Sequence, residues 1–271
     1  MKTKKMMMGG GLMLAAGLMA STAPAQPQAQ PSAEHESAKP TVVLVHGAFA
    51  DSASWNGVIA VLEHDGYHVI AAPNNLRGVR ADADVVADVV KNVAGPVVLV
   101  GHSYGGSVIS EAAEGAGNVK ALVYVAAFAP EAGETAIGLT GKFPGSTLGP
   151  TLAPPVKLTG GGNDLYIQRD RFPAQFAADV PLAAARLMAA GQRPIAEAAL
   201  NEPETAPAWK HTPSWFIYGD ADRNIPPAAM AFMAKRAKAR QTVVVKGASH
   251  VVMVSHAMEV AGLIEQAAKA P

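Results

Sequence analysis

Residues 96–106 read Pro-Val-Val-Leu-Val-Gly-His-Ser-Tyr-Gly-Gly, and this stretch decides the fold. Its first five residues form a short, continuous apolar run, which is typical of a strand buried on both faces. Next comes Gly101-His102-Ser103-Tyr104-Gly105, a G-x-S-x-G pattern that places a serine at a sharp turn from strand to helix. Glycines two residues to either side let the neighbouring backbone approach without a Cβ clash. The stretch therefore predicts that Ser103 Oγ stands at the carboxyl end of a parallel sheet, where open α/β sheets bind their ligands.

Similar apolar runs, β-branched and continuous rather than alternating, recur on both sides of this stretch. Helical patterns lie between them, and strand alternating with helix predicts a doubly wound α/β domain with a mostly parallel sheet. The predicted strands are Thr41–Val45, Tyr67–Ala71, Pro96–Val100, Ala121–Ala126, Ser214–Tyr218 and Thr242–Val245. The predicted helices are Trp55–Asp65, Ala81–Val93, Gly105–Glu114, Pro227–Ala239 and Val251–Lys269.

The alternation breaks between residues 128 and 209, where the sequence contains no convincing strand. Gly141–Gly162 is rich in glycine and proline, and Ala174–Ala190 with Pro194–Leu200 is rich in alanine. A connection this long within a compact domain is usually functional or an insertion. We therefore expect a small, mainly helical cap over about residues 131–208, with its glycine- and proline-rich part as a mobile lid.

The composition excludes several classes of protein. Of 271 residues, 49% are hydrophobic and 16% are charged, which supports a sizeable core and excludes general disorder. Lysine plus arginine equals aspartate plus glutamate at 22 each, so the chain lacks the basic surface of a protein that binds nucleic acid. It has no cysteine, which excludes disulfides, thiolate catalysis and cysteine-based metal sites.

The first 25 residues have the layout of a secretory signal peptide. Lys2, Lys4 and Lys5 precede an uncharged, mostly apolar run from Met6 to Ala20, and Ala23-Pro24-Ala25 is an A-x-A cleavage pattern. The alternative is a retained membrane anchor, but the run is shorter than the roughly 20 residues that span a bilayer. We predict cleavage after Ala25, export to the periplasm or the medium, and no stable membrane anchor.

Removal of residues 1–25 would take away three lysines and leave 19 basic and 22 acidic residues. The next segment, 26–40, holds no large apolar residue and is expected to be a flexible leader. The folded domain is therefore expected to cover residues 41–271.

A nucleophilic serine needs a general base and an orienting acid. In this architecture the expected chain order is Ser, then Asp or Glu, then His. Three histidines follow Ser103, namely His211, His250 and His256. His250 falls in the loop between the last strand and the last helix, at the carboxyl edge of the sheet. His211 precedes a strand at the opposite edge and His256 falls inside a helix, so His250 is the predicted base.

Candidates for the acid follow the strand Ser214–Tyr218 at the same edge of the sheet. Asp222 lies further into this loop than Asp220, which is more easily interpreted as a turn-stabilising residue. Glu131 and Glu134, at the entrance to the cap, are a further possibility. The local pattern favours Asp222 and leaves the other carboxylates open.

Two backbone N–H groups are needed to stabilise the oxyanion of an acyl-transfer reaction. Tyr104, directly after the predicted nucleophile and at a helix N-terminus, supplies one of them. The loop after the first strand reads His46-Gly47-Ala48-Phe49, and Gly47 permits a bend that points the Ala48 N–H at the site. His46 is itself a possible base, but its place before the glycine favours a role in holding this loop.

Four motifs in this order resemble the α/β-hydrolase superfamily, and most closely its compact members such as the plant methyl esterases and hydroxynitrile lyases. The resemblance implies that Asp222 is the acid, because the family's aspartate is followed two residues later by Ile-Pro or a similar pair. Residues 222–226 read Asp-Arg-Asn-Ile-Pro and align with that pattern. The resemblance also implies an oxyanion hole formed by the Ala48 and Tyr104 N–H groups. It extends from Thr41 to the C-terminus and rests on His46-Gly47-Ala48, Gly101–Gly106, Gly219–Asp222 and Gly247–His250.

Two departures from the family pattern narrow the expected chemistry. The related lyases typically carry threonine where this chain has Gly47, and lysine where it has Val251. These differences argue against cyanohydrin chemistry and leave ester hydrolysis as the expected reaction. The expected partner is a small-molecule ester, and no metal or organic cofactor is needed.

The sequence therefore predicts a serine hydrolase that cleaves small to medium apolar carboxylic esters through Ser103, His250 and Asp222. Alternatives on the same scaffold are perhydrolysis, lactone or amide hydrolysis, cofactor-free oxygenation, and a ligand sensor without turnover. Six aromatic residues are candidates for the substrate pocket, with filling of the core as the alternative for each. They are Phe49, Trp55, Phe143, Tyr166, Phe172 and Phe176.

Overall fold

The computed structural model describes residues 39–271, so the predicted signal peptide and almost all of the predicted leader lie outside the described residues. Strands and helices alternate in the first half of the core, as predicted. They are β1 (Thr41–Val45), α1 (Asn56–His64), β2 (Val69–Ala72), α2 (Val79–Lys91), β3 (Val97–His102), α3 (Gly105–Ala112) and β4 (Val119–Val125).

The cap follows β4, and the core resumes after it. The cap contains α4 (Ala136–Lys142), β5 (Val156–Lys157), β6 (Asn163–Leu165), α5 (Phe172–Phe176), α6 (Leu182–Gly191), β7 (Ile195–Ala196) and α7 (Glu197–Asn201). The core then ends with β8 (Ser214–Gly219), α8 (Pro227–Arg236), β9 (Gln241–Val245), α9 (Val252–Ser255) and α10 (Ala257–Lys269).

Six strands form one parallel sheet in the order β2-β1-β3-β4-β8-β9, which confirms the predicted doubly wound α/β fold. The neighbouring interior strands β1 and β3 are buried at every residue. Continuous apolar runs are required there because helices cover both faces of the sheet. This arrangement brings the carboxyl ends of β3, β8 and β9 to one edge, where the loops with the candidate catalytic residues begin.

The helices that support this edge bury one apolar side each. In α2 the buried residues Val79, Ala83, Val86 and Val90 recur every three or four positions, as an amphipathic helix requires. The predicted helix over 251–269 is instead two helices, because the backbone leaves the helical region at His256 (φ −130°, ψ 48°). Among residues 39–271, no helix combines the length and the apolar character that crossing a bilayer requires.

The cap corrects the expectation that the interval between residues 128 and 209 contains no strand. β5, β6 and β7 pair antiparallel into a small three-stranded sheet beside the cap helices. These strands are two or three residues long, which is too short to leave an alternating pattern in the sequence. Their partners are also distant along the chain, since Asp164 pairs with Ala196.

The two ends of the cap meet at Glu204, whose N–H donates to the Glu134 carbonyl oxygen at 2.9 Å. The Glu204 side chain is 2% exposed and lies beside Glu111 of α3, which accepts hydrogen bonds from the N–H groups of Thr205 and Ala206. Burial, then hydrogen bonding to Glu111 and its negative charge, raise the pKa of Glu204 from its usual 4.5 to about 10. Glu204 is therefore protonated at neutral pH, which removes the repulsion that a second negative charge would have with Glu111.

We expect this buried proton to make the stability of the fold fall as the pH rises. Between pH 4.5 and about 10 the native state holds a proton that the unfolded state releases. The free energy of unfolding then declines by up to about 1.4 kcal/mol per pH unit. Glu204→Gln keeps the size and polarity of the side chain without the titrating group, so it should flatten the decline of Tm across this range. Glu63→Gln, at an exposed position of α1, should keep the wild-type slope. An unchanged slope in E204Q would contradict the prediction.

Candidate active site

Ser103 lies at the tip of the turn between β3 and α3, with φ +54° in the left-handed region. The turn is so tight that a Cβ atom added at Gly101 would stand 2.5 Å from the Gly105 carbonyl oxygen. A Cβ atom added at Gly105 would stand 2.7 Å from the Val45 carbonyl oxygen. The G-x-S-x-G pattern therefore needs both glycines on steric grounds, and the strained serine between them is a feature that clusters at functional sites.

His250 lies in the loop after β9 and connects Ser103 with Asp222. Its Nε2 is 2.9 Å from Ser103 Oγ, and its Nδ1 is 2.7 Å from Asp222 Oδ2. The three side chains thus form one continuous line of hydrogen bonds. The His250 side chain is 1% exposed and that of Asp222 is fully buried, so bulk water does not compete for the contact between them.

The Asp222 carboxylate is fixed on its other oxygen by backbone. Oδ1 accepts hydrogen bonds from the N–H groups of Asn224 at 2.7 Å and Ile225 at 3.0 Å. This leaves Oδ2 to accept the His250 Nδ1–H, which sets the tautomer with a free Nε2 lone pair toward Ser103 Oγ. An imidazole in this tautomer can accept a proton from the serine hydroxyl.

The other candidate acids and histidines are engaged elsewhere. Asp220 Oδ1 accepts the Gly247 N–H at 2.6 Å and so joins the loops after β8 and β9. Glu131 pairs with Lys210 at 2.7 Å, Glu134 with Arg236 at 2.8 Å, His211 with Glu114 at 3.3 Å and His256 with Glu259 at 3.3 Å.

Two backbone N–H groups are the candidates for an oxyanion site beside Ser103. Ala48 and Tyr104 both line the cavity above the serine, and within residues 39–271 neither N–H group has a hydrogen-bond partner. The neighbouring Phe49 N–H is already used, because it donates to the Arg193 carbonyl oxygen of the cap at 3.0 Å. The Tyr104 hydroxyl donates to Asp82 at 2.9 Å, so this side chain anchors the turn through α2.

Two buried histidines support the site without joining the line of hydrogen bonds to Ser103. His102 Nε2 donates to the His250 carbonyl oxygen at 3.1 Å, a contact that the motif did not predict. Burial, then the neighbouring His250, hold the pKa of His102 well below its usual value, so it stays neutral. His46 Nδ1 donates to the Gly47 carbonyl oxygen at 3.0 Å, and burial lowers its pKa. Its contact with its own loop matches the expectation that His46 holds that loop.

A cavity of about 740 Å³ opens over Ser103 and His250. The segment predicted as a lid covers much of it. Apolar side chains from outside this segment also line the cavity, namely Ala136, Ile137, Leu165, Leu200 and Ile225. The lid segment contributes Gly141, Ser146, Leu148, Gly149, Leu152, Ala153, Pro154 and Pro155.

Of the six aromatic residues considered for the pocket, the structure places Phe49 and Phe176 in the lining of this cavity. The other four lie elsewhere. Trp55 is fully buried and packs edge-on against the His102 ring at 6.4 Å between centroids. Phe143 packs on Phe232 of α8 at 5.4 Å, Phe172 lies behind Phe176 at 4.8 Å, and Tyr166 is half-buried outside the lining.

Comparison with known proteins gives matches in sequence and in fold. Residues 42–263 match the model of the Alpha/beta hydrolase family. The chain is 34% identical over 113 residues to a carbendazim hydrolyzing esterase from a Nocardioides species, over 37% of this chain and 47% of that enzyme. It thus spans about half the length of that relative.

Solved structures that share this fold include an esterase and a pyrethroid hydrolase. Polyneuridine aldehyde esterase has a TM-score of 0.74 at 18% identity, over 84% of this chain and 99% of that chain. A pyrethroid hydrolase from Sphingobium faniae has a TM-score of 0.68 at 23% identity, over 86% of this chain and 98% of that chain.

Proposed function

The chain belongs to the alpha/beta hydrolase family, as its motifs predicted, and we propose that it is a serine esterase acting on apolar carboxylic esters. The line of hydrogen bonds from Ser103 through His250 to Asp222, at the floor of a cavity, carries this proposal. The names of the similar proteins support it, because each is called an esterase or a hydrolase.

In the first half-reaction Ser103 Oγ attacks the ester carbonyl carbon while its proton moves to His250 Nε2. Asp222 holds the imidazole in place and stabilises the imidazolium that forms. The carbonyl oxygen becomes an oxyanion that accepts hydrogen bonds from the N–H groups of Ala48 and Tyr104. Each bond stabilises the transition state by about 3 kcal/mol. His250 then gives the proton to the departing alkoxide oxygen, and the alcohol leaves an acyl-enzyme.

In the second half-reaction a water molecule repeats these steps on the acyl group. His250 Nε2 takes a proton from the water as its oxygen attacks the acyl carbon, and the proton returns to Ser103 Oγ as the bond to serine breaks. The products are a carboxylic acid and the free serine. Eight residues of segment 141–162 line the cavity, and we assign this segment the role of the lid that opens to admit the ester.

The cavity favours an uncharged substrate larger than a simple acetate ester. Its volume of about 740 Å³ falls in the range of sites that enclose drug-sized ligands. Among the described residues that line it, Glu197 is the only acidic side chain, and none is lysine or arginine. An ester with a carboxylate group would therefore meet no positive partner in the pocket.

The function is tested with a panel of chromogenic nitrophenyl esters and a fluorophosphonate probe. We expect turnover of neutral esters, with medium or aromatic acyl groups preferred to acetate, and one phosphonyl adduct at Ser103 found by mass spectrometry. Perhydrolysis would appear instead as halide oxidation that depends on added hydrogen peroxide. Absence of both turnover and adduct would contradict an esterase and favour a ligand sensor.

A further inference from the structure

Gln175 is a buried polar residue of the cap whose side chain contacts the loop of the candidate acid. It lies in α5 and is 3% exposed. Its Nε2 donates to the Arg223 carbonyl oxygen at 2.9 Å and to Asn224 Oδ1 at 3.0 Å. Its Oε1 accepts the hydroxyl of Thr147, in the lid segment, at 2.8 Å. Both donors and the acceptor of this amide are therefore engaged.

The contacts of Gln175 lead directly to the Asp222 carboxylate. Asn224, held by Gln175 through its side chain, donates its own N–H to Asp222 Oδ1 at 2.7 Å. The loop between β8 and α8 has no regular secondary structure, so its conformation depends on such outside contacts. Thr147 adds a second one, since its N–H donates to the Arg223 carbonyl oxygen at 2.9 Å.

The same short stretch of the cap also contacts the loop of the candidate base. The Phe176 ring packs on the His250 ring at 5.0 Å between centroids. The Asp179 carboxylate accepts a hydrogen bond from the hydroxyl of Ser249, the residue directly before His250. Cap residues 175–179 thus contact both loops that carry the partners of Ser103.

We propose that Gln175 is a positioning residue, which holds the loop of Asp222 in the conformation that keeps this carboxylate on His250. The inference rests on the proposed esterase function, because the effect is expressed through the hydrolytic step. It gives the cap a second role beside enclosing the substrate. Through Gln175 the cap builds part of the catalytic geometry.

A second glutamine of the cap provides a matched control. Gln192 Nε2 donates to the carbonyl oxygens of Ile167 at 2.9 Å and Ala189 at 3.1 Å, and its Oε1 accepts the Ile167 N–H at 2.9 Å. It therefore makes as many hydrogen bonds as Gln175, but all of them stay within the cap. It does not line the cavity.

The experiment compares Gln175→Leu with Gln192→Leu, measuring kcat, KM and the free energy of unfolding of each. Leucine fills much of the volume of glutamine and removes the donors. Q175L is expected to lower kcat by about 10- to 100-fold, the range in which small displacements of catalytic groups act, with KM changed less than twofold. Q192L is expected to lose a similar amount of stability and to keep the wild-type kcat.

Two further variants separate the contacts of Gln175. Thr147→Val removes only the hydroxyl that Gln175 Oε1 accepts, so kcat should stay within about twofold of the wild type because both donors to the acid loop remain. Gln175→Glu keeps an acceptor for Thr147 but sets a carboxylate against the Arg223 carbonyl oxygen and Asn224 Oδ1, which are both acceptors. Because these oxygen atoms repel the carboxylate, kcat should fall at least as far as in Q175L.

The proposal is overturned if Q175L keeps the wild-type kcat, or if Q192L loses as much kcat as Q175L at equal loss of stability. Failure of the esterase assignment would look different, because the wild type itself would then turn over no ester and take up no fluorophosphonate.

Discussion

Ser103→Ala is expected to lower kcat for every ester substrate by about 10,000-fold or more. The alanine keeps the Cβ atom and the tight turn but removes the Oγ atom that lies 2.9 Å from His250 Nε2. Covalent acyl transfer is then impossible, and residual turnover would depend on binding and on the oxyanion N–H groups acting on water. Steady-state kinetics with a neutral nitrophenyl ester measure the loss, and the fluorophosphonate adduct should vanish in the same variant.

Ser107→Ala is the matched control for this variant. Ser107 is a buried serine on the first turn of α3, only four residues from the nucleophile, and it does not line the cavity. Its replacement should change kcat by less than about threefold, because it leaves the turn and the loops of His250 and Asp222 intact. An S103A protein that still hydrolyses esters at the wild-type rate would refute the nucleophile, whatever the control shows.

The core of this fold could be predicted because its strands are buried on both faces. A residue with no solvent-exposed side is usually apolar, so Val42–Val45 of β1 and Val97–Val100 of β3 appear in the sequence as unbroken runs of valine and leucine. The cap strands carry no such constraint. Asn163 and Asp164 of β6 pair with residues of β5 and β7 through backbone alone, and that pairing depends on how the distant segments fold together.

The candidate site was predictable where steric demands act between near neighbours. Gly101, Ser103 and Gly105 lie within one turn, so their spacing predicts the geometry around the serine. Aromatic residues show the opposite case. Trp55 and Phe49 are six residues apart and both are large aromatic residues. Trp55 packs behind His102 and Phe49 lines the cavity, because the loop conformation sets the direction in which each side chain points.

No sequence motif indicated that Gln175 would contact the loop of Asp222. Its partners Arg223 and Asn224 lie 48 and 49 residues further along the chain, and a lone glutamine in an alanine-rich stretch carries no local signal for such contacts. The choice between Asp220 and Asp222 has a similar cause. Both aspartates share one loop, so the local pattern favoured Asp222 without excluding Asp220, and the folded loop brings the Asp222 carboxylate to the imidazole.

Asp222→Asn is expected to lower kcat by about 10,000-fold although it changes one atom of a buried side chain. Asp222 Oδ1 accepts two backbone N–H groups, from Asn224 and Ile225. An asparagine here must keep its carbonyl oxygen toward those donors, because the opposite rotamer would set its NH₂ group against two N–H groups. The NH₂ group is then forced to face His250 Nδ1.

That orientation reverses the role of the imidazole. Nδ1 has to accept the amide N–H, so the ring proton moves to Nε2, and Nε2 no longer has a lone pair with which to take the proton from Ser103. Asp220→Asn is the matched substitution in the same loop, where only the bond from the Gly247 N–H at 2.6 Å is weakened, at a cost of about 1 kcal/mol of stability. Its kcat should stay within about threefold of the wild type. Equal losses in D222N and D220N would mean that the loop, and not the tautomer of His250, limits turnover. A loss confined to D222N, in both ester turnover and the rate of phosphonylation of Ser103, would identify Asp222 as the group that keeps His250 ready to accept the serine proton.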